Sequence, residues 1–290
     1  MKMRSALLVV FAATFPVVAQ ADPWLLTPGD YYSEFRGGYR AADTFHDGTG
    51  ERPPLPNGGQ YDVRGIRNYT ELGWKKSMSF RFAIPVESVT ATTTGSSSTS
   101  SGISDIAFGV KFKVSGGGKS AVAAGLDFQM PAGYNRHLYP ALGDGVQNLI
   151  GSIEYGSALP FGFVTVGGGY RLRMGAVAYA EAGKKDPDDD LLFTADLGAW
   201  IGQSFLVAGN YRSRRVFVQN QEPEEGDVFE HLAGLEFLYR LSDRLDIFGG
   251  SLSTLSAENA LHVNEIYAGI SVKDTHLNRF QGFLGNTSKP

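Results

Sequence analysis

The sequence predicts an all-β fold, a transmembrane antiparallel up-and-down β-barrel of about 12 strands with long extracellular loops and short periplasmic turns. Three observations predict it. The N-terminus has the form of an export signal and no later stretch is apolar enough for a spanning helix; apolar and polar residues alternate at period two in segment after segment; and the links between those segments alternate between long and short. The composition narrows the alternatives. None of the 290 residues is a cysteine, which excludes a disulfide scaffold, a thiolate metal site and a lipid-modified N-terminal cysteine. A net charge of -4 gives no reason to expect a nucleic-acid partner. With 37 Gly, 19 Phe and 13 Tyr but only 19% charged residues, the chain is unlike a soluble helical protein.

At the N-terminus, Lys2 and Arg4 form a charged start, Ala6 to Val18 an apolar stretch, and Ala19-Gln20-Ala21 a small-x-small cleavage site before Asp22. The apolar run falls short of the ~20 residues that span a bilayer, which argues against a retained anchor. Residues 1–21 therefore read as a signal peptide. Residues 22–29, with Trp24, Leu25 and Leu26, read as an N-terminal periplasmic segment, either a loose tail or a plug; 30–273 is the barrel and 274–290 a tail.

The alternation is legible strand by strand. Ile106, Phe108, Val110, Phe112 and Val114 share one face, with Asp105, Lys111 and Lys113 on the other. Val122, Ala124, Leu126, Phe128 and Met130 oppose Asp127 and Gln129. Val164, Val166, Tyr170 and Leu172 oppose Thr165, Arg171 and Arg173. Leu191, Phe193, Ala195, Leu197 and Ile201 oppose Thr194 and Asp196, while Phe205, Val207 and Tyr211 oppose Asn210, Arg212 and Arg214. Leu235, Phe237 and Tyr239 oppose Glu236 and Arg240, and Ile266, Ala268, Ile270 and Val272 oppose Glu265 and Lys273. In 61–74 and 244–256 the pattern does not fix the register.

A soluble β-sandwich also alternates, so the connections decide. Strands at 30–42, 61–74, 78–90, 103–114, 120–130, 146–158, 161–174, 190–201, 203–217, 228–240, 244–256 and 262–273 leave long links after every odd strand and tight ones after every even strand. That asymmetry belongs to outer-membrane barrels, whose even strand number returns both ends to the periplasm. The surroundings then expected are outer-membrane lipid and lipopolysaccharide, reached through the barrel-assembly machinery. Thr92 to Ser101 reads as a flexible Ser/Thr/Gly tip and Lys184 to Asp190 as a solvated charge run that lacks the calcium-loop pattern. Trp200 and Tyr239 near the periplasmic ends, and Tyr134 and Tyr170 near the outer ends, are candidates for the aromatic girdles.

No residues announce catalysis, a metal or a cofactor. Gly118-Lys119-Ser120 resembles the end of a phosphate loop, but Lys113 stands where its first glycine is required, so it reads as a hairpin turn. None of His46, His137, His231, His262 and His276 lies in the setting of a barrel lipid hydrolase, and the chain does not read as an enzyme.

The stretch SGISDIAFGVKFKVSGGGKSAVAAGLDFQMPAGYN (101–135), with 143–173 and 239–260, resembles the MetA-pathway phenol-degradation family of outer-membrane proteins. The resemblance implies a small barrel passing hydrophobic or aromatic solutes, without defined binding residues. The chain departs from many barrels at its end, where Phe280 is followed by ten further residues, Gln281 to Pro290.

Function is then expected in the lumen, whose width at about twelve strands lies between side-chain-filled and open barrels. Strands placed up and down in order bring Asp127, Glu154, Asp196 and Glu236 near mid-height. Arg171, Arg173, Arg212 and Arg214 come above them, and Lys111, Lys113, Arg240 and Lys273 below. Tiers of opposite sign would orient a permeant molecule; alternatively, the charges neutralise one another in a closed interior. The expected function is passive uptake of a small hydrophobic or aromatic solute, the alternatives being a non-conducting barrel whose loops bind a surface partner and a secreted sandwich.

Overall fold

The computed structural model describes residues 23–134, 139–174, 189–216 and 228–274. The export signal, His137, His276, the run 184–188 and the tail beyond Asp274 lie outside the described residues. The elements are β1 (Tyr31–Ala42), β2 (Phe45–His46), a 3-10 turn (Pro56–Gly58), β3 (Gln60–Lys75), β4 (Met78–Thr93), β5 (Ser96–Ile103), β6 (Asp105–Gly117) and β7 (Ser120–Pro131). After them come β8 (Gln147–Leu159), β9 (Gly162–Met174), β10 (Asp190–Ile201), β11 (Phe205–Val216), β12 (Val228–Ser242), β13 (Leu245–Glu258), β14 (Ala260–Leu261) and β15 (Asn264–Asp274).

β5 and β6 are one wall strand broken at Ser104, so with β2 and β14 set aside the wall is a closed antiparallel barrel of 12 strands. β1 closes it, pairing with β3 on one side (Phe35 opposite Asn68) and β15 on the other (Phe35 opposite Ile270). β5 pairs with β4 alone, but below it each wall strand is laddered on both sides, which is why strands alone can face lipid. The tight turns, together with Tyr31 and Asp274, mark the periplasmic end, and the long links mark the outer end.

The facing follows the sequence pattern. Phe108, Phe112, Leu126, Tyr170, Phe193, Leu197, Leu235, Phe237, Tyr239 and Ile266 are exposed on the outside, whereas Asp127, Gln129, Thr165, Arg171 and Lys273 are buried inside. On β3 the rule is obscured because polar residues occupy both faces. Asn68 Nδ2 donates to Ser33 Oγ (3.1 Å) and to the Glu34 carbonyl (3.2 Å), and Ser33 Oγ lies 2.8 Å from Thr70 Oγ1. These outward polar groups satisfy each other, which makes them tolerable beside lipid. On β13 the polarity inverts, with Phe248 and Leu252 buried inside and Ser251 exposed outside.

Two expectations are corrected. Thr92 to Ser101 is no flexible tip: β4 and β5 form a continuous hairpin to the pair Thr93–Ser96, turning at Thr94-Gly95. Threonine suits a pleated strand, and hydroxyls bridge the pair at Thr90–Thr99 (3.0 Å) and Ser88–Ser101 (2.8 Å). Among the girdle candidates, Tyr170 and Tyr239 face outward, but Trp200 and Tyr134 turn inward. The Arg240 guanidinium lies 4.6 Å above the Trp200 ring, and the Tyr134 hydroxyl donates to Asp105 Oδ1 (2.5 Å).

Candidate functional site

The lumen is lined by the alternate residues that the wall turns inward, and acid and base are interleaved at every level instead of forming tiers of one sign. Near the periplasmic end Lys111 Nζ is 2.8 Å from Glu71, and Lys273 Nζ is 2.7 Å from Asp246, with Arg240 at 3.8 Å. Lys113 continues the register of Lys111 but is exposed. At mid-height Arg81 bridges Asp127 (2.5 Å) and Glu154 (3.1 Å). Gly125 makes that possible, since a Cβ there would strike the Arg81 guanidinium. Arg36 meets Glu34 (3.0 Å) and Glu236 (3.4 Å), and Tyr267 donates to Glu236 (2.9 Å). Asp196 accepts from Asn210 (2.7 Å) and Thr165 (3.1 Å). Arg212 is within electrostatic reach of Glu236 and Glu265.

Toward the outer end one carboxylate, Asp190, holds three arginines: Arg171, Arg173 (3.1 Å) and Arg214 (3.3 Å). Asp144 takes Arg171 (3.4 Å) and Arg173 (3.8 Å) as well. Asp190 ends the charge run taken above for solvated loop, yet it is fully buried. Its parity with Leu192 and Thr194 is the signal that places it inside. Arg36, Glu34, Arg81, Glu71, Asp144 and Asp246 were also missed, mostly because they sit on strands whose alternation is masked.

Above these pairs the interior becomes apolar. Ala42, Tyr61, Val63, Val89, Ala91, Leu142 and Val263 form a buried cluster, with Tyr134 and Leu261 packed against it. Leu142 comes from the link between β7 and β8, whose residues 142–146 are buried and pinned in place. Ser104 donates to the Leu142 carbonyl, Asp144 N donates to Asp105 (2.7 Å) and Gly145 N donates to the Tyr134 hydroxyl (2.9 Å). Beside this collar β2 and β14 pair in a separate two-stranded sheet and bring His46 Nε2 within 3.1 Å of His262 Nδ1. Burial and the nearby Arg52 hold both imidazoles below the usual histidine value.

At the opposite end, residues 23–30 enter the lumen rather than trailing from it. Gly29 N donates to the Gly73 carbonyl and Gly73 N to the Asp30 carbonyl, both at 2.9 Å. A Cβ on Gly73 would strike the Thr27 backbone, and one on Gly156 would strike Pro23 and Trp24. Gly73 lies on β3 and Gly156 on β8, so the segment crosses between separated strands. On its way Lys111 Nζ reaches the Trp24 carbonyl at 3.4 Å.

No family model and no curated protein matches this chain. Solved structures do. An outer-membrane channel from Pseudomonas putida F1 superposes with TM-score 0.74 at 11% identity, over 89% of this chain and 100% of that one. The NanC porin gives 0.53 at 12% identity, over 83% and 100%. The translocator domain of the autotransporter NalP from Neisseria meningitidis gives 0.50 at 10% identity, over 84% and 88%. At such identities the likeness establishes the fold, an outer-membrane β-barrel of the kind found in channels and porins.

Proposed function

We propose that this barrel is a passive channel for small hydrophobic or aromatic solutes. The observation that carries the reading is the apolar collar of Tyr61, Val63, Val89, Ala91 and Leu142 at the outer mouth of a lumen otherwise lined by charge. A hydrated sugar or ion gains nothing from such a mouth, whereas an apolar solute sheds water there at roughly 25 cal/mol per Å² buried. The N-terminal segment narrows the periplasmic end, so conductance is expected to be small. The resemblance of 101–135 to a phenol-degradation family and the likeness to channels support the same reading.

Planar-bilayer recordings and liposome swelling test it. Swelling in phenol or toluene with little in a sugar of similar size is the expected result. A protein that neither conducts nor swells liposomes in any of these would instead be the non-conducting barrel that the dense ion pairing of Arg81 and Asp190 favours.

A further inference from the structure

The wall between β1 and β3 contains an arrangement that neither barrel closure nor ion pairing explains. Arg36 and Arg67 stand directly opposite each other across these strands, both pointing inward. Like charges in that position destabilise a sheet unless something answers them. Glu34 and Glu236 answer Arg36. Among the described residues Arg67 is ion-paired with Glu87 alone, at 3.6 Å, beyond hydrogen-bond range. Its Nε is buried without a partner, and the guanidinium makes no hydrogen bond to any described residue. A guanidinium fork inside a barrel, paired with Glu87 but with no acceptor in hydrogen-bond range among the described residues, can receive a planar anion.

An opening lies beside this guanidinium. Two residues above this pair Gly38 faces Gly65, the Glu87 side chain lies over Gly65, and the small opening there is lined by Arg36, Arg40, Arg67, Glu87, Glu265 and Val63. Val63 belongs to the apolar collar and stands four positions from Arg67 on β3, a span of roughly 13 Å along a strand. A molecule with a carboxylate on Arg67 and a body of six to eight carbons, about 10 Å long, would therefore lie with its apolar part against the collar.

We propose that this opening binds the carboxylate head of a small organic acid in transit, with Arg67 as the anchor and the collar as the seat of its apolar body. The proposal rests on the channel reading and narrows it from apolar solutes in general to monoanionic amphiphiles. Aromatic and aliphatic acids share the recognised chemistry.

The test is calorimetric titration of the refolded full-length protein in lipid nanodiscs with benzoate and octanoate, each beside its neutral counterpart, phenol or octanol. Both anions are expected to bind more tightly than their counterparts. Arg67→Gln should weaken the anions about tenfold or more while leaving phenol unchanged, as loss of a charge-assisted hydrogen bond demands, and Arg67→Lys should recover part of the loss. Gly38→Val keeps every charge, and a Cβ there meets only ordinary contacts at 3.5 Å or more; it should weaken both anions by filling the opening. Tighter binding of benzoate than octanoate would assign the aromatic source, and the reverse order the aliphatic one. Equal binding of acids and neutral counterparts, or unchanged anion affinity in Arg67→Gln, would overturn the proposal. Phenol-driven swelling of liposomes carrying the same protein separates the two failures, because its loss would defeat the channel reading itself.

Discussion

The ion-paired body of the lumen and its apolar outer mouth rise from the same strands but are held by different forces. In the body, Arg81, Asp127 and Glu154, or Asp190 with its three arginines, are almost fully shielded from solvent, and each group's place depends on its partner's charge. At the mouth, Leu142 and its neighbours touch through surfaces that tolerate rearrangement, and hydrogen bonds from Ser104, Asp144 and Gly145 pin the loop that carries Leu142. Buried ion pairs are rigid because breaking one strands a charge. Apolar contacts are graded and give way in small steps. A barrel built this way keeps a fixed frame and an adjustable entrance.

The largest effect is expected from breaking the frame. Arg81→Gln leaves Asp127 and Glu154 buried without their shared cation and should destabilise the barrel by about 3–5 kcal/mol, read as a lowered denaturant midpoint and loss of the heat-modifiable gel form. If Arg81→Gln folds as stably as wild type, the middle of the lumen is hydrated and the contrast with the mouth dissolves. A slightly smaller effect, about 2–4 kcal/mol, is expected from Phe108→Arg or Leu126→Arg, which put a charge against lipid near the midplane. Thr165→Arg puts the same charge inside, beside Asp196, and should assemble normally. Equal damage from both would mean that the two faces of the wall had been exchanged.

That facing was the part most legible in the sequence, for a plain reason. Where one face meets lipid and the other a polar lumen, period two is forced on the residues, as in β6, β7, β9 and β10. The pattern fails where the forcing lapses. On β3, Asn68 and Thr70 sit on the lipid side because they bond to each other and to Ser33, which hid Arg67 and Glu71 as lumen residues. On β13 the buried Phe248 and Leu252 reversed the expected polarity, which hid Asp246. Pairing is harder still to read, since Arg81 on β4 reaches Glu154 on β8, 73 residues away, and no local spacing encodes that. The Ser/Thr hairpin shows the opposite error, because a composition shared by flexible linkers and by polar strands was assigned to the former.

At the mouth the steps should be smaller. Leu142→Ala removes the side chain that the pinned loop presses into the collar, and a loss near the low end for a buried leucine, about 2 kcal/mol, is expected. The more informative readout is permeation. Phenol-driven swelling should speed up in this variant while Arg81→Gln, where it folds, leaves the mouth unchanged. An unaltered rate would place the narrowest point elsewhere, at the N-terminal segment between Gly73 and Gly156.

The smallest effect belongs to the histidine pair, and its sign is fixed by the direction of its shifts. His46 and His262 share one hydrogen bond, which requires a lone pair on one ring and a proton on the other. Burial comes first among the causes that lower both, followed by the Arg52 charge, while Asp47 and Asp43 pull weakly the other way. With folded values below the unfolded value of about 6.5, the unfolded chain binds more protons on acidification. The stability contributed by the pair is therefore present above about pH 6.5 and lost as pH falls through the folded values. A neutral hydrogen bond has a net worth of about 1 kcal/mol, so the barrel itself should stay intact. What should change is the β2–β14 contact: proteolytic nicking within residues 43–59 is expected to rise between pH 7.5 and pH 5 in the wild type. In His46→Gln it should be high and independent of pH. Nicking that rises equally with acid in that variant would assign the response to the carboxylates around Asp105 and Asp144, and the entrance would then loosen from the collar side instead of the histidine side.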